Sequence, residues 1–308
     1  MTNKQLVRLA GLLAAVVVAW GVLALARRHG ADRPEGLTLV RIDTAAVDTI
    51  AFTTAHDTAV LARSADGTWR VNGHRAMKGN VQQLLAALRD TTTWSELAAE
   101  SRASHAAMGV SADSGQRVRI AGHGGPLLDL VTGHQTMDAT GLYVRRSGSD
   151  PVYTLHGSLV AALTHALSEW RDKTIASVAP DSVEKIEVSR GREAYALVRA
   201  GKGWRLAGGA AADSSAVASL LNQYHPLAAS GFATAAQADS ASFVHPSARV
   251  RFFGKGATPL LDLAIDSTKS GVWARTGAKP SVFEFDFWQL VNVAPTKKSV
   301  TAGVKKPV

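Results

Sequence analysis

The sequence predicts an α+β protein, with one N-terminal transmembrane helix followed by two tandem repeats of mainly antiparallel sheet with short packed helices. Three observations predict it. An uncharged apolar run stands near the start, at residues 9–26. The word PLLDL occurs at residues 126–130 and again at 259–263. Around each copy, apolar residues alternate as in strands, change to a 3.6-residue period, and then alternate again.

A short tail, residues 1–8, carries Lys4 and Arg8. The run LAGLLAAVVVAWGVLALA (9–26) follows. As a helix it is about 27 Å long, close to the roughly 30 Å hydrocarbon core of a bilayer. Ala24-Leu25-Ala26 resembles a signal-peptidase site, but the apolar run reaches it without a polar segment between, so the reading is an uncleaved anchor. Residues 27–38 (RRHGADRPEGLT) read as a linker. Repeat unit one spans 39–168, a connector and repeat unit two span 169–293, and a basic, disordered tail spans 294–308.

Within the units, VDTIAF (47–52) matches VEKIEV (183–188), so that Val47, Ile50 and Phe52 correspond to Val183, Ile186 and Val188. Next, VLARSADGTWRV (60–71) matches ALVRAGKGWRL (196–206). Each is a strand, a glycine turn that tolerates positive φ, and a tryptophan strand. The period then changes. Val81, Leu84, Leu85 and Leu88 form one helical stripe, and Val217, Leu220, Leu221 and Tyr224 form the other. Asn80 and Ser214 or Ser215 are the expected N-caps. The strands return in VRIAGHGGPLLDLVTG (118–133) against VRFFGKGATPLLDLAID (250–266), then GLYVRR (141–146) against GVWART (271–276), then PVYTL (151–155) against SVFEF (281–285). Small drifts in spacing between the copies are what loop insertions and deletions produce.

Composition removes several function classes. The chain has no cysteine, which excludes disulfides, thiol catalysis and cysteine zinc sites. Its net charge is +9, but residues 1–38 carry +3 of it and 295–308 carry +4. The body between them is nearly neutral, which argues against a nucleic-acid groove. Ten histidines show no H-E-x-x-H and no helical ligand pair beside a carboxylate; His123 and His134 flank one strand group. Gly122-His123-Gly124-Gly125 leads into a strand rather than a helix, so it reads as a hairpin turn and not a phosphate loop. The recurring Asp129 and Asp262 read as solvent-facing strand residues without a neighbouring partner. No catalytic residue, cofactor site or metal site is expected.

The order of these motifs resembles the domain of unknown function 4340 family. Arg171-Asp172-Lys173 matches an element that the family carries between copies. Met108-Gly109-Val110-Ser111 and Val244-His245-Pro246 are reduced forms of a Gly-Leu-Asp-Pro-like element. The likeness covers residues 1–293. It implies an envelope protein with a single N-terminal membrane segment, some members being encoded with gliding-motility-type ABC transporter components. The charges flanking 9–26 mildly favour a cytoplasmic body, whereas the resemblance implies an extracytoplasmic, periplasmic one, and the latter is the expectation.

Three readings of function follow. The first is a non-enzymatic, membrane-anchored envelope protein that acts as an accessory or interaction subunit of a membrane complex, with an ABC transporter as the candidate partner and no nucleic acid. The second is a module that binds a glycan or small ligand through aromatic side chains. The third is a hydrolase with a site between the repeats. Tyr143, Trp273 and Trp288 are the candidate ligand or partner surface, and their solvent exposure decides between stacking platform and core packing.

Overall fold

The computed structural model describes residues 36, 37, 39, 41–277 and 281–301. The tail 1–8, the run 9–26 and most of the linker lie outside the described residues. The chain divides into two compact units, one ending at Arg171 and the other beginning at Asp172.

Unit one contains β1 (Val47–Thr53), β2 (Thr58–Arg63), β3 (Trp69–Val71), β4 (His74–Arg75), α1 (Lys78–Ala87), β5 (Trp94–Ala99), β6 (Gln116–Gly122), β7 (Gly125–Gln135), β8 (Gly141–Arg146), β9 (Val152–His156) and α2 (Ser158–Leu163). Its strands form one nine-stranded sheet in the order β4-β3-β2-β1-β6-β7-β8-β9-β5. Every pairing in it is antiparallel.

Unit two contains β10 (Thr174–Ala176), β11 (Lys185–Arg190), β12 (Glu193–Ala200), β13 (Gly203–Leu206), α3 (Ser214–Gln223), β14 (Leu227–Ala228), β15 (Gly231–Phe232), α4 (Ala235–Ser240), β16 (Ala248–Phe253), β17 (Pro259–Thr268), β18 (Gly271–Thr276), β19 (Phe283–Phe285), α5 (Phe287–Val293) and α6 (Lys297–Val300). Eight of its strands form a sheet in the order β13-β12-β11-β16-β17-β18-β19-β15, and β10 pairs with β14. Strand for strand this is the order of unit one without the β4 hairpin arm. One β-bulge recurs as well: the register slips at Ile120/Ala121 in β6–β7 and at Phe252/Phe253 in β16–β17, the same place before each PLLDL.

The expected α+β class with a leading transmembrane helix is corrected. The described residues are mostly antiparallel strand, and helix occurs in pieces of ten residues or fewer. The physical reason is that the 3.6-residue stripe lasts only one short segment per unit, whereas alternation recurs in every hairpin. Among the described residues no helix is long and apolar enough to cross a membrane.

Each unit has its own core. In unit one Ile50, Phe52, Leu61, Val118, Ile120 and Leu130 point to the face covered by Val81 and Leu84 of α1. In unit two Ile186, Val188, Leu197, Val250, Phe252 and Leu263 do the same beneath Val217, Leu220 and Leu221 of α3. Burying each such side chain stabilises by about 1.5–3 kcal/mol before the entropic cost of ordering it.

The helix caps differ from expectation. The N-cap of α1 is Met77, which makes no side-chain bond, and Asn80 lies inside the helix, donating its Nδ2 to the Glu169 carbonyl at 3.0 Å. The N-cap of α3 is Asp213, whose carboxylate accepts the amides of Ser215 and Ala216 at 2.9 and 3.1 Å. A carboxylate also complements the positive end of the helix dipole, which a serine does not.

Each unit is closed by a short strap. In unit one, residues Leu167–Trp170 form a 3-10 turn, the Met77 amide donates to the Trp170 carbonyl, and Ala76 bridges to Arg171. In unit two, the Asp213 amide donates to the Val300 carbonyl and Ala212 bridges to Thr301. The tail expected to be disordered from residue 294 is therefore corrected through Thr301, since Val300 is buried and α6 is helical. Three successive carbonyls anchor that segment. Tyr224 Oη donates to Val293 O at 2.7 Å, Arg190 Nη1 to Ala294 O at 3.1 Å, and Tyr195 Oη to Pro295 O at 2.7 Å. Burial pushes both phenols above their ordinary range, so they remain donors.

Candidate functional site

The three aromatic candidates have different fates. Tyr143 on β8 is half-buried against Val110, Val131 and Val152, a small second core on the sheet face opposite α1. Trp273, the corresponding residue on β18, is fully buried. The segment around it is tied down by Asp266, which accepts the Ser242 amide at 2.8 Å and the Ser247 hydroxyl at 3.0 Å. Arg275 lies 4.5 Å from the Phe243 ring centroid beside it. Trp273 is thus a packing residue, Tyr143 is half-buried on the small second core, and Trp288 is the exposed one of the three.

Trp288 stands on α5. The helix is set by Asp286, whose amide donates to Gln289 Oε1 at 2.8 Å, and by Gln289 Nε2, which donates to the Ala228 carbonyl at 3.1 Å. Val293 is buried and Leu290 packs on the core of unit two, which fixes the inner face. The outer face carries Phe287, Trp288 and Val291, exposed by 62, 61 and 53%. Helix geometry puts these positions beside one another. The corresponding positions in unit one are Gly157, Ser158 and Ala161, so the same place in the fold is small or polar there. Three exposed large apolar residues on one short helix form a patch of the kind that marks an interaction surface.

A second aromatic feature was not anticipated from the sequence. Trp94 on the edge strand β5 is exposed and stacks on His156 of β9, with centroids 4.2 Å apart and planes 15° apart. Glu96 Oε1 lies 3.6 Å from His156 Nε2. The register of β5 and β9 places Trp94 opposite His156. A lone tryptophan beyond the helical stripe of unit one was the available signal.

The repeated aspartates do have partners, which corrects the expectation that none was near. Arg117 Nε and Nη2 donate to both oxygens of Asp129 at 2.9 and 2.6 Å. Arg249 does the same to Asp262 at 2.7 and 2.6 Å. Each pair is diagonal across the first hairpin of its second strand group. The Arg117 hydrogen bonds hold the Asp129 carboxyl below the usual carboxylate range, and Asp262 raises the Arg249 guanidinium above its ordinary value. These are structural pairs, and neither carboxylate is left to act as a base. Of the two histidines beside one strand group, His123 lies 3.4 Å from Asp48, while His134 packs over Gly109, where a Cβ would meet its ring at 2.6 Å. Among the described residues no group of three His, Asp or Glu is placed to hold a metal ion.

The arrangement thus offers apolar and stacking contact on α5 and at the β5 edge. No match was found among curated proteins or among solved structures. The family model described as domain of unknown function (DUF4340) matches residues 69–246, more than half of the chain, and the protein belongs to that family.

Proposed function

We propose that the protein is a non-enzymatic, membrane-anchored accessory subunit of an envelope complex, with its body on the extracytoplasmic side and ABC transporter components as the candidate partners. The observation that carries this reading is the exposed Phe287–Trp288–Val291 face of α5. The uncharged run 9–26 supports attachment to a membrane. Tryptophan is among the side chains that dominate binding at protein interfaces, and phenylalanine is enriched there.

The test is purification of the tagged full chain from its own host in mild detergent. A transporter permease or ATPase in near-stoichiometric amount, lost from the Phe287→Ser/Trp288→Ser variant, is the expected result. Recovery of the chain as a free monomer overturns the proposal.

A second reading, glycan binding, draws on the Trp94–His156 stack with Glu96 at its edge, since a flat ring beside a carboxylate suits the apolar face and hydroxyls of a sugar. Quenching of tryptophan fluorescence by cell-wall oligosaccharides, abolished in Trp94→Ala, supports it. No change across a glycan panel removes it.

A further inference from the structure

Laying the two units over one another by their equivalent residues exposes a place beside α5 where they part. In unit one the space between α1, α2 and the strap is filled. His165 sits in it, with Nδ1 3.2 Å from Glu169 Oε2 and Nε2 3.1 Å from Gln83 Oε1. Its ring meets Trp170 edge-on, with centroids 5.5 Å apart. The equivalence with unit two is fixed by the straps themselves, because the Met77–Trp170 and Asp213–Val300 hydrogen bonds and the Ala76–Arg171 and Ala212–Thr301 bridges correspond.

In unit two Gln83 becomes Ser219, His165 becomes Pro295, Glu169 becomes Ser299 and Trp170 becomes Val300. Every exchange is to a smaller side chain. The result is an open groove of about 260 Å3 between α3, α5 and α6. Leu220 and Val300 form its floor, and Ser219, Ser299 and Asn292 supply the polar groups at its rim. No charged side chain lines it. Val291 belongs both to the groove wall and to the exposed face of α5, so groove and patch share a border.

We propose that this groove is the docking slot of a partner polypeptide, which seats in it a ring side chain bearing one polar atom (histidine, tryptophan or tyrosine) from an uncharged, apolar segment. Two observations select that occupant. The same slot in unit one holds an imidazole. The wall is uncharged, so it offers an acidic or basic side chain no opposite charge to pair with, whereas a ring N–H or O–H meets the serine hydroxyls and the asparagine amide. This inference rests on the accessory-subunit reading and names the contact through which it works.

The experiment uses the full chain in its own host, with a photo-crosslinking phenylalanine derivative replacing the exposed Ser219. A second form carries Ser219→Gln, Pro295→His and Ser299→Glu, which fills the slot as unit one fills its own. The expected result is a cross-link to a peptide that holds a histidine, tryptophan or tyrosine among uncharged residues, and capture of that partner reduced at least tenfold by the filled slot. Phe287→Ser/Trp288→Ser, changed only at exposed positions, is the companion variant where the triple change fails to fold, and is expected to reduce capture in the same direction. Undiminished capture by the filled slot overturns the slot; the accessory reading stands where the companion still loses capture and falls with the slot where it does not. A cross-link to residues 302–308 or to a second copy of the chain also overturns the slot, by assigning it another occupant. No partner with any form overturns both.

Discussion

Unit one seats Trp170 at the end of its strap, stacked on Phe52 with centroids 4.6 Å apart, and unit two seats Val300 at the same place. The backbone hydrogen bonds around the two are the same, while the side chains are not. Unit one stabilises its strap by aromatic bulk and a histidine network. Unit two, with a smaller plug, holds its strap by donating two phenols and a guanidinium to successive carbonyls. The frame requires a strap and a buried residue on it, and leaves open what fills the space beneath. Where unit two lines that space with smaller side chains, it also exposes Phe287, Trp288 and Val291.

The largest expected difference between the straps comes from truncating their plugs. Trp170→Ala removes a fully buried aromatic and should destabilise unit one by about 3–5 kcal/mol. Val300→Ala removes roughly two methylene equivalents and should cost unit two about 1.5 kcal/mol. Urea unfolding of the full chain in detergent, followed by circular dichroism, measures both. Equal costs would break the comparison.

Next in size is Tyr224→Phe. It strips the donor from Val293 O inside the core, and an unmet buried acceptor costs about 1–3 kcal/mol. Unit one has Leu88 at the equivalent place, so the loss is specific to unit two. Faster hydrogen exchange of residues 293–301, with that of 167–171 unchanged, is the expected pattern.

The repeated pairs should behave alike and weakly. Asp129→Asn and Asp262→Asn each break a bidentate but solvent-accessible pair, worth up to about 1 kcal/mol. Thermal unfolding of both variants tests whether the two PLLDL strands are energetically equivalent; a difference above that range shows they are not.

The smallest effect is a dependence on acid that only one of two matching turns has. In the β7–β8 turn, the hydroxyls of Thr136 and Thr140 at 2.6 and 2.8 Å hold Asp138 at a pKa of about 2. A carboxyl depressed on folding contributes stability that is complete above its unfolded pKa, near about 4, and is lost as pH falls through the folded value. The matching turn in unit two, Thr268 to Gly271, contains Lys269 and Ser270 and no acid. Between pH of about 4 and about 2, hydrogen exchange should loosen the first turn only, and Asp138→Asn should abolish the difference.

Much of the frame was legible because its signals are periodic and occur twice. The hairpins, the two helical stripes and the PLLDL strands all follow from alternation or 3.6-residue spacing. The parts that were not legible lack that signal. The strap 295–301 carries a single buried side chain and is held through its main-chain groups, so its sequence has no period to find. Trp273 is buried because the segment before β16 covers its side of the sheet, a fact of long-range packing that strand alternation alone does not encode. The arginine partners of Asp129 and Asp262 were within reach, since Arg-Val-Arg precedes both PLLDL words, at 117–119 and 249–251. The exposed α5 face was only partly visible: Trp288 stood out, but Phe287 and Val291 gain meaning through the small residues at their counterparts.

The straps also bear on how the protein is made. Each is the last piece of its unit to be synthesised, so neither unit is finished until its final few residues leave the ribosome. The 130 residues from Arg171 to Thr301 take on the order of ten seconds to add at about 5–20 residues per second. Through that interval unit one has all it needs to close, while unit two still lacks the segment that covers α3 and the amide of Asp213. A stop codon after residue 296 would hold unit two at that stage permanently, with Leu220 deprived of Val300, the Asp213 amide of its acceptor, and the nascent chain left to chaperones or proteases.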